Sequence, residues 1–430
     1  MKSISLKGLD KECYYEKLKN GFEIIMVPYT DKKNYFISYV TRYGSQINSF
    51  IPHDKKAPVT VPNGIAHFLE HKLFEQEDGV DPFAFFSESG TTANASTSYD
   101  RTQYICYGNK EFEKNLDYLL KYVNQPYFTD QNVKKEKGII KEELRMYDDI
   151  PEWLIEKKLR QCIYNKHPRR VDIGGECEDI DKITKEDLYI CYNTFYQPNN
   201  MFIVITGNFN KDKALQIIKK NISNIENKQE KIEIKEVREA KAVCKPELEL
   251  STNIRVPKIA LGYKMEKESF GINDDLELDL YLQMISTLLF GNSSVFREQI
   301  REKKLVTNFS YEWDSTSKYK TLFIYSKTEN PELLIDEIYK YLENINLDAK
   351  DLERIKKVWI ANEVKMIDSI DATIYNIVDD EIKYKRIVHN KIDLIRKLNK
   401  KKLDEIATKL NFNNRSKVIL LPKKIIARRK

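Results

Sequence analysis

The sequence predicts an α+β protein built from two structurally similar halves of about 200 residues each. Three observations predict it. Strand-like and helix-like patterns are mixed along the first half. The same patterns, in the same order, return in the second half. Between the halves lies a segment, 224–246, rich in Lys and Glu with scattered apolar residues, which reads as an interdomain linker with a short strand at Ile232 to Ile234. The implied division is 1–223, a linker at 224–246, and 247–430.

The first half supplies most of the elements. Asn20 and Gly21 form a tight-turn signal ahead of the apolar run Phe22 to Val27, which reads as a strand, with Tyr35 to Val40 as its neighbour. Gly64 to Phe74 has a helical pattern opened by Pro62. Thr91 to Ser98 and Thr102 to Tyr107 read as a strand pair turning at Asp100 and Arg101. Helices follow at Glu111 to Tyr122, Gln131 to Tyr147 and Ile183 to Phe195. A buried strand, Met201 to Thr206, ends at Gly207 and Asn208.

The repeat is weak per residue but keeps its order. Phe112 to Val123 resembles Leu333 to Leu342, and Ile139 to Met146 resembles Trp359 to Met366, at an offset of 220. Asn199 to Ile205 resembles Asn413 to Ile419, at an offset of 214. The second half has no counterpart of His67 or His71, so the chemistry is assigned to the first half.

Composition bounds the function classes. Of 430 residues, 41% are hydrophobic and 32% charged, and no stretch reaches the ~18 apolar residues of a membrane span. Met1 to Asp10 has no apolar core, so it does not read as a signal peptide, and a cytoplasmic protein is expected. The six cysteines, at 13, 106, 162, 177, 191 and 244, form no C-x-x-C pair and are expected to be reduced thiols. The net charge of +6 is spread over 72 basic and 66 acidic residues, a solvated surface. The basic tail (Lys423, Lys424, Arg428, Arg429, Lys430) reads as solvated rather than as a nucleic-acid contact.

The chemistry-bearing segment is His67, Phe68, Leu69, Glu70, His71. On a helix, positions i, i+3 and i+4 share a face, so both imidazoles can converge on one ion with Glu70 beside them. Zinc suits two imidazoles plus a carboxylate, with a fourth position left for water. Glu70 could take that water's proton during attack on a peptide carbonyl and pass it to the leaving amine. With only five histidines in the chain, composition alone produces such a spacing with a chance of roughly 0.005. The order H-x-x-E-H is the inverzincin signature. A third ligand is sought on the acidic helix around Glu136 and Glu143, which are two turns apart and share a face. Glu143 would bind zinc, with Glu136 bonded to a ligand or helping to manage protons. The same pattern also suits a solvated acidic face.

These residues resemble the insulinase/pitrilysin family of zinc metallopeptidases, closest to short two-domain members such as the β subunit of the mitochondrial processing peptidase and its bacterial relatives. The resemblance rests on Asn20-Gly21, Tyr43 to Ser45, Gly64 to Phe74, Gly90 to Tyr104, Glu136 to Tyr147 and Phe195 to Gly207. It implies two homologous α+β rolls, each an antiparallel sheet backed by helices. It implies His67, His71 and Glu143 as ligands of one Zn2+ per chain, Glu70 as catalytic base, and Glu136 as its paired glutamate. It further implies that Asn94, Ala95, Ser96 and Thr97 belong to an edge strand to which substrate peptide adds.

One departure bears on partners. Active family members often carry an Arg and, seven residues later, a Tyr in the companion domain. Here Arg301 follows the matching lead-in Phe290 to Ser294, but Asn308 stands where Tyr is expected, and Tyr311 comes three residues further on. In two-chain members a sister subunit without the zinc motif can supply the pair. The resemblance therefore implies a metalloendopeptidase acting on peptides or leader sequences in a heterodimer. A self-sufficient homodimer and a non-catalytic zinc-binding assembly subunit are the alternatives.

Overall fold

The computed structural model describes residues 1–8 and 11–423. Of the basic tail, Lys424, Arg428, Arg429 and Lys430 lie outside the described residues. In chain order the strands are β1 (Lys2–Ser5), β2 (Glu12–Lys17), β3 (Glu23–Pro28), β4 (Tyr35–Thr41), β5 (Ser49–Ile51), β6 (Val59–Thr60), β7 (Thr92–Thr97), β8 (Thr102–Gly108), β9 (Met201–Gly207), β10 (Glu233–Ile234), β11 (Glu247–Thr252), β12 (Lys258–Glu266), β13 (Asn308–Ser315), β14 (Tyr319–Lys327) and β15 (Arg415–Pro422). The helices are α1 (Ile65–Lys72), α2 (Pro82–Glu88), α3 (Phe112–Val123), α4 (Asp130–Asp148), α5 (Pro151–Ile163), α6 (Cys177–Ile180), α7 (Lys185–Phe195), α8 (Lys211–Ile222), α9 (Asp275–Phe290), α10 (Val295–Glu302), α11 (Pro331–Glu343), α12 (Ala349–Ile367), α13 (Ile370–Tyr384), α14 (Lys391–Lys397) and α15 (Lys400–Ala407).

The chain forms two compact units, each assembled from three segments. The first holds Met1–Arg145, Val171–Glu236 and Asn362–Ile392; the second holds Met146–Arg170, Val237–Ala361 and Asp393–Lys430. This differs from the continuous boundaries 1–223, 224–246 and 247–430. The reason is packing: α5, from the first half of the sequence, lies in the second unit, and α13, from the second half, lies in the first.

The first unit is organised on a seven-stranded sheet in the order β1-β2-β3-β9-β4-β8-β7. Its pairings are antiparallel except β3 with β9, which run parallel. The turn expected at Asn20 and Gly21 joins β2 to β3, with the Gly21 amide donating to Leu18 O at 2.9 Å. One face of the sheet is covered by α1, α3, α7 and α8 through residues such as Phe68, Leu116, Leu188 and Ile218. The other face is covered by α13, whose Ile370, Ile374, Ile377 and Val378 meet Phe36, Val40, Phe202 and Val204. Strands β4 and β9 are therefore buried at every position. That explains why they read as continuous apolar runs rather than alternating ones.

The second unit carries a five-stranded sheet in the order β11-β15-β12-β14-β13. Only β11 and β15 run parallel. Strand for strand this repeats β3-β9-β4-β8-β7, so the faint sequence repeat corresponds to a repeated fold. Here α5 covers one face, placing Ile155, Leu159, Cys162 and Ile163 against Ala260, Phe323, Val418 and Leu420. The α+β fold with a largely antiparallel sheet in each unit is as expected, with one parallel pair in each.

The expected linker is tied down along its length. Asn227 donates to Asn20 O at 2.6 Å, and Asn199 donates to Gln229 O at 2.9 Å. Strand β10 pairs with β5, placing the short strand where it was expected. Further on, the Glu239 carboxylate accepts from the amides of Asn165, Lys166 and His167 and from Lys264 Nζ at 2.6 Å. These charge-assisted bonds hold the Glu239 carboxyl at about 2, against the upward push of burial. The functional consequence of the fold lies at β7. It pairs with β8 on one side only and forms an edge of the first sheet, with α1 packed across β7 and β8.

Candidate metal centre

Helix α1 begins at Gly64, whose φ is +80°. A Cβ there would lie 2.2 Å from the Gly174 carbonyl oxygen, so both the left-handed backbone and the close crossing of the 172–175 loop require glycine. Ile65, Ala66, Phe68 and Leu69 face the core. Helical spacing then sets His67, Glu70 and His71 on one other face. Helix α4 buries Val133, Ile140 and Leu144, which carries Glu136 and Glu143 round towards α1.

The ligand atoms converge. One donor atom from each of His67, His71 and Glu143 lies within 4.8 Å of the others. His67 Nε2 is 3.9 Å from Glu143 Oε1, and His71 Nε2 is 3.5 Å from Glu143 Oε2. Two imidazole nitrogens and one carboxylate fit zinc and leave a coordination position open, the pattern of catalytic rather than structural sites. On the far side of its ring, His71 Nδ1 is 3.0 Å from Glu136 Oε1. With the Nδ1 proton held by Glu136, the lone pair sits on Nε2, facing the ligand cluster.

The electrostatics agree with the geometry. Burial, aided by the neighbouring His71 imidazole, lowers the His67 pKa to about 3. A neutral ring is what a metal ligand needs. Burial also pulls His71 down, but the Glu136, Glu143 and Glu70 carboxylates outweigh it and raise its pKa. For Glu136, burial pushes up, and the bond to His71 with the charges of His71 and Lys72 more than offsets it, leaving the pKa lowered. Glu70 is 8% exposed. Burial raises its pKa, against the downward pull of the Thr97 hydroxyl.

Two contributors were not legible in the motif. Lys72 is fully buried, bonded to Glu75, with Nζ 3.8 Å from Glu136 Oε2. It supplies a positive charge beneath Glu136 that no sequence spacing announces. Thr97, expected only as part of the edge strand, donates its hydroxyl to Glu70 Oε2 at 2.5 Å.

Two family models match successive parts of the chain. Residues 60–175 match the model described as insulinase, peptidase family M16, and residues 182–358 match the one described as the peptidase M16 inactive domain. The uncharacterized zinc protease YmfH of Bacillus subtilis is 36% identical over 88% of this chain and 92% of its own. The chain belongs to the insulinase family, peptidase family M16. The zinc protease PqqE of Helicobacter pylori is 23% identical over 83% of this chain and 80% of its own. The solved structure of an M16-like peptidase from Alicyclobacillus acidocaldarius superposes with a TM-score of 0.90 at 28% identity, covering 97% of this chain and 100% of that one.

In this insulinase-family chain the first unit brings together His67, Glu70, His71, Thr97, Glu136 and Glu143. Asn94, Ala95 and Ser96 lie along β7 beside Thr97, with Asn94 and Ser96 exposed. Asn94 Oδ1 accepts from the Ala95 amide at 2.9 Å, and Ser96 Oγ accepts from Gln103 Nε2 at 2.9 Å. Arg301 lies in the other unit, on α10, where its guanidinium reaches Asn292 O at 3.4 Å. Asn308 is exposed at the start of β13, and the Tyr311 hydroxyl lies 3.4 Å from Thr287 Oγ1.

Proposed function

We propose that this chain is a zinc metalloendopeptidase that cleaves peptides or leader sequences bound as an added strand. The observation that carries the reading is the convergence of His67, His71 and Glu143 with Glu70 beside them and the edge of β7 alongside. Zinc would be held by His67, His71 and Glu143; when bound, it supplies Lewis-acid polarisation of a carbonyl and acidifies water. The remaining steps belong to the protein. Glu70 takes the proton from the attacking water onto its carboxylate and returns it to the leaving amine nitrogen. Its burial-raised pKa suits a group that must both accept and donate that proton. Glu136, backed by Lys72, holds His71 in its ligating tautomer. The unpaired side of β7 offers backbone donors and acceptors to an extended peptide, a mode that reads backbone more than side chains.

Asn308 supports a two-chain enzyme, in which a sister subunit lacking the zinc motif completes the Arg and Tyr pair and closes the chamber around the substrate. The homodimer that relies on Arg301 and Tyr311 is the competing arrangement. All six cysteines are free, four of them buried, which supports a reducing, cytoplasmic setting. The test is Glu70→Gln, assayed for zinc and for peptide cleavage, alone and mixed with the sister chain. Retained zinc with turnover lowered by about 10²–10⁴ is expected. Undiminished turnover in the variant would remove Glu70 as the base. Wild-type activity unchanged by mixing would favour the homodimer.

A further inference from the structure

Glu70 is a buried carboxylate held by Thr97, whose hydroxyl donates to Oε2 at 2.5 Å and whose backbone amide also bonds the carboxylate. The hydroxyl accounting around Thr97 sets the direction of that bond. Thr97 is paired with Thr102 across β7 and β8, with their Oγ1 atoms 3.3 Å apart. Thr102 Oγ1 donates to Tyr43 O at 3.0 Å. Each hydroxyl carries one hydrogen, so Thr102 has none left for Thr97, and the Thr97 hydrogen goes to the carboxylate, the stronger acceptor. The β-branch restricts χ1 at Thr97, so the oxygen is held in place by the strand. The outcome is a carboxylate whose Oε2 is held by a hydroxyl of the edge strand.

We propose that Thr97 is a positioning residue for the peptidase reaction: its hydroxyl aims the Glu70 carboxylate, so that the strand receiving the substrate backbone also orients the base. This rests on the metallopeptidase reading above and extends it. It assigns two jobs to one residue. The backbone of Thr97 belongs to the edge strand, and its side chain belongs to the catalytic group. The jobs are separable, because Thr97→Val keeps the strand-forming, β-branched shape while removing the hydroxyl, and Thr97→Ser restores it.

The experiment compares wild type, Thr97→Val and Thr97→Ser for zinc content, for kcat and KM separately, and by a crystal structure of the zinc-loaded Val variant. The expected result is unchanged zinc, unchanged KM and a kcat lowered by about 10–100-fold in Thr97→Val. Thr97→Ser should recover most of the loss, and the Glu70 carboxylate should be rotated or split between rotamers in the Val structure. An unmoved Glu70, a loss confined to KM, a loss of zinc, or no rescue by serine would each overturn the proposal. Failure of wild type to cleave peptides even when mixed with the sister chain would overturn the metallopeptidase reading instead. The crystallographic comparison of Glu70 tests the positioning role whatever the activity.

Discussion

In the first unit, α1 buries Glu70 against a threonine hydroxyl at 2.5 Å; in the second, α9, the helix at the same place in the repeat, buries Asp279 against the Lys320 ammonium at 2.5 Å. The five strands that the two sheets share run in the same order, yet the two carboxylates have different partners, and in the proposed reaction only Glu70 is the base. Protonating Asp279 would break the shortest ion pair of the buried Lys320 ammonium, whereas protonating Glu70 leaves a hydroxyl that can simply turn. The acidic helix diverges in the same way. At the repeat offset, Lys356 stands where Glu136 does, and its ammonium is spent on Leu398 O at 3.0 Å and Glu353. A repeated scaffold thus gathers metal-ligand side chains in one copy and ion pairs in the other, through a handful of residues.

The largest expected effect breaks the copy with the metal-ligand cluster. His67→Ala or His71→Ala should abolish both zinc binding and peptide cleavage, measured by metal analysis of purified protein against about one zinc per wild-type chain. Full zinc retention in either variant would remove that histidine from the ligand set. A smaller effect tests the paired copy. Lys320→Met should leave Asp279 buried without its ammonium and lower unfolding stability by about 3–5 kcal/mol. Urea unfolding measures it, and a loss below 1 kcal/mol would mean that Asp279 is satisfied by other groups. Zinc content of the folded variant should stay at the wild-type level.

The elements of the first unit were largely legible in the sequence. The helix expected at Gln131 to Tyr147 spans Asp130–Asp148, and the strand expected at Thr102 to Tyr107 spans Thr102–Gly108. The histidine motif was legible because i, i+3 and i+4 spacing is a local property of a helix. Three things were not. Strands β1 and β2 were missed because neither has an apolar run: β1, the sheet edge, lies within the Met1 to Asp10 segment and is mostly exposed, and β2 buries only Cys13. The exchange of α5 and α13 was hidden because periodicity reveals that a helix has an apolar face, not which sheet covers it. Lys72 and the Thr97 hydroxyl were hidden because lysine is rarely buried and because the Glu70–Thr97 bond spans 27 residues.

The exchanged helices sharpen the comparison with a pH-dependent contrast. In the second unit α5 brings Arg160 to Asp314 at 3.1 Å, and with Arg169 it holds the Asp314 carboxyl well below the usual range despite burial. In the first, α13 carries Asp380, 5% exposed, whose pKa burial pushes up to about 7. Lys391 and Lys383 pull it down while Glu363 and Asp379 push it up, and Lys391 is itself engaged with Glu363 at 3.2 Å. A native pKa above the unfolded value means that the native state binds the extra proton. The contribution of Asp380 to stability is therefore fully present below pH ~4 and is lost as pH rises through about 7. Asp314 behaves oppositely, stabilising at neutral pH and losing its contribution in acid. Asp380→Asn keeps the shape and stays neutral, so it should match wild type near pH 4 and exceed it by about 4 kcal/mol at pH 8. Urea titrations across that range measure the slope. Parallel pH profiles for the two proteins would mean that Asp380 is already ionised and paired at neutral pH, and the contrast between the exchanged helices would fall.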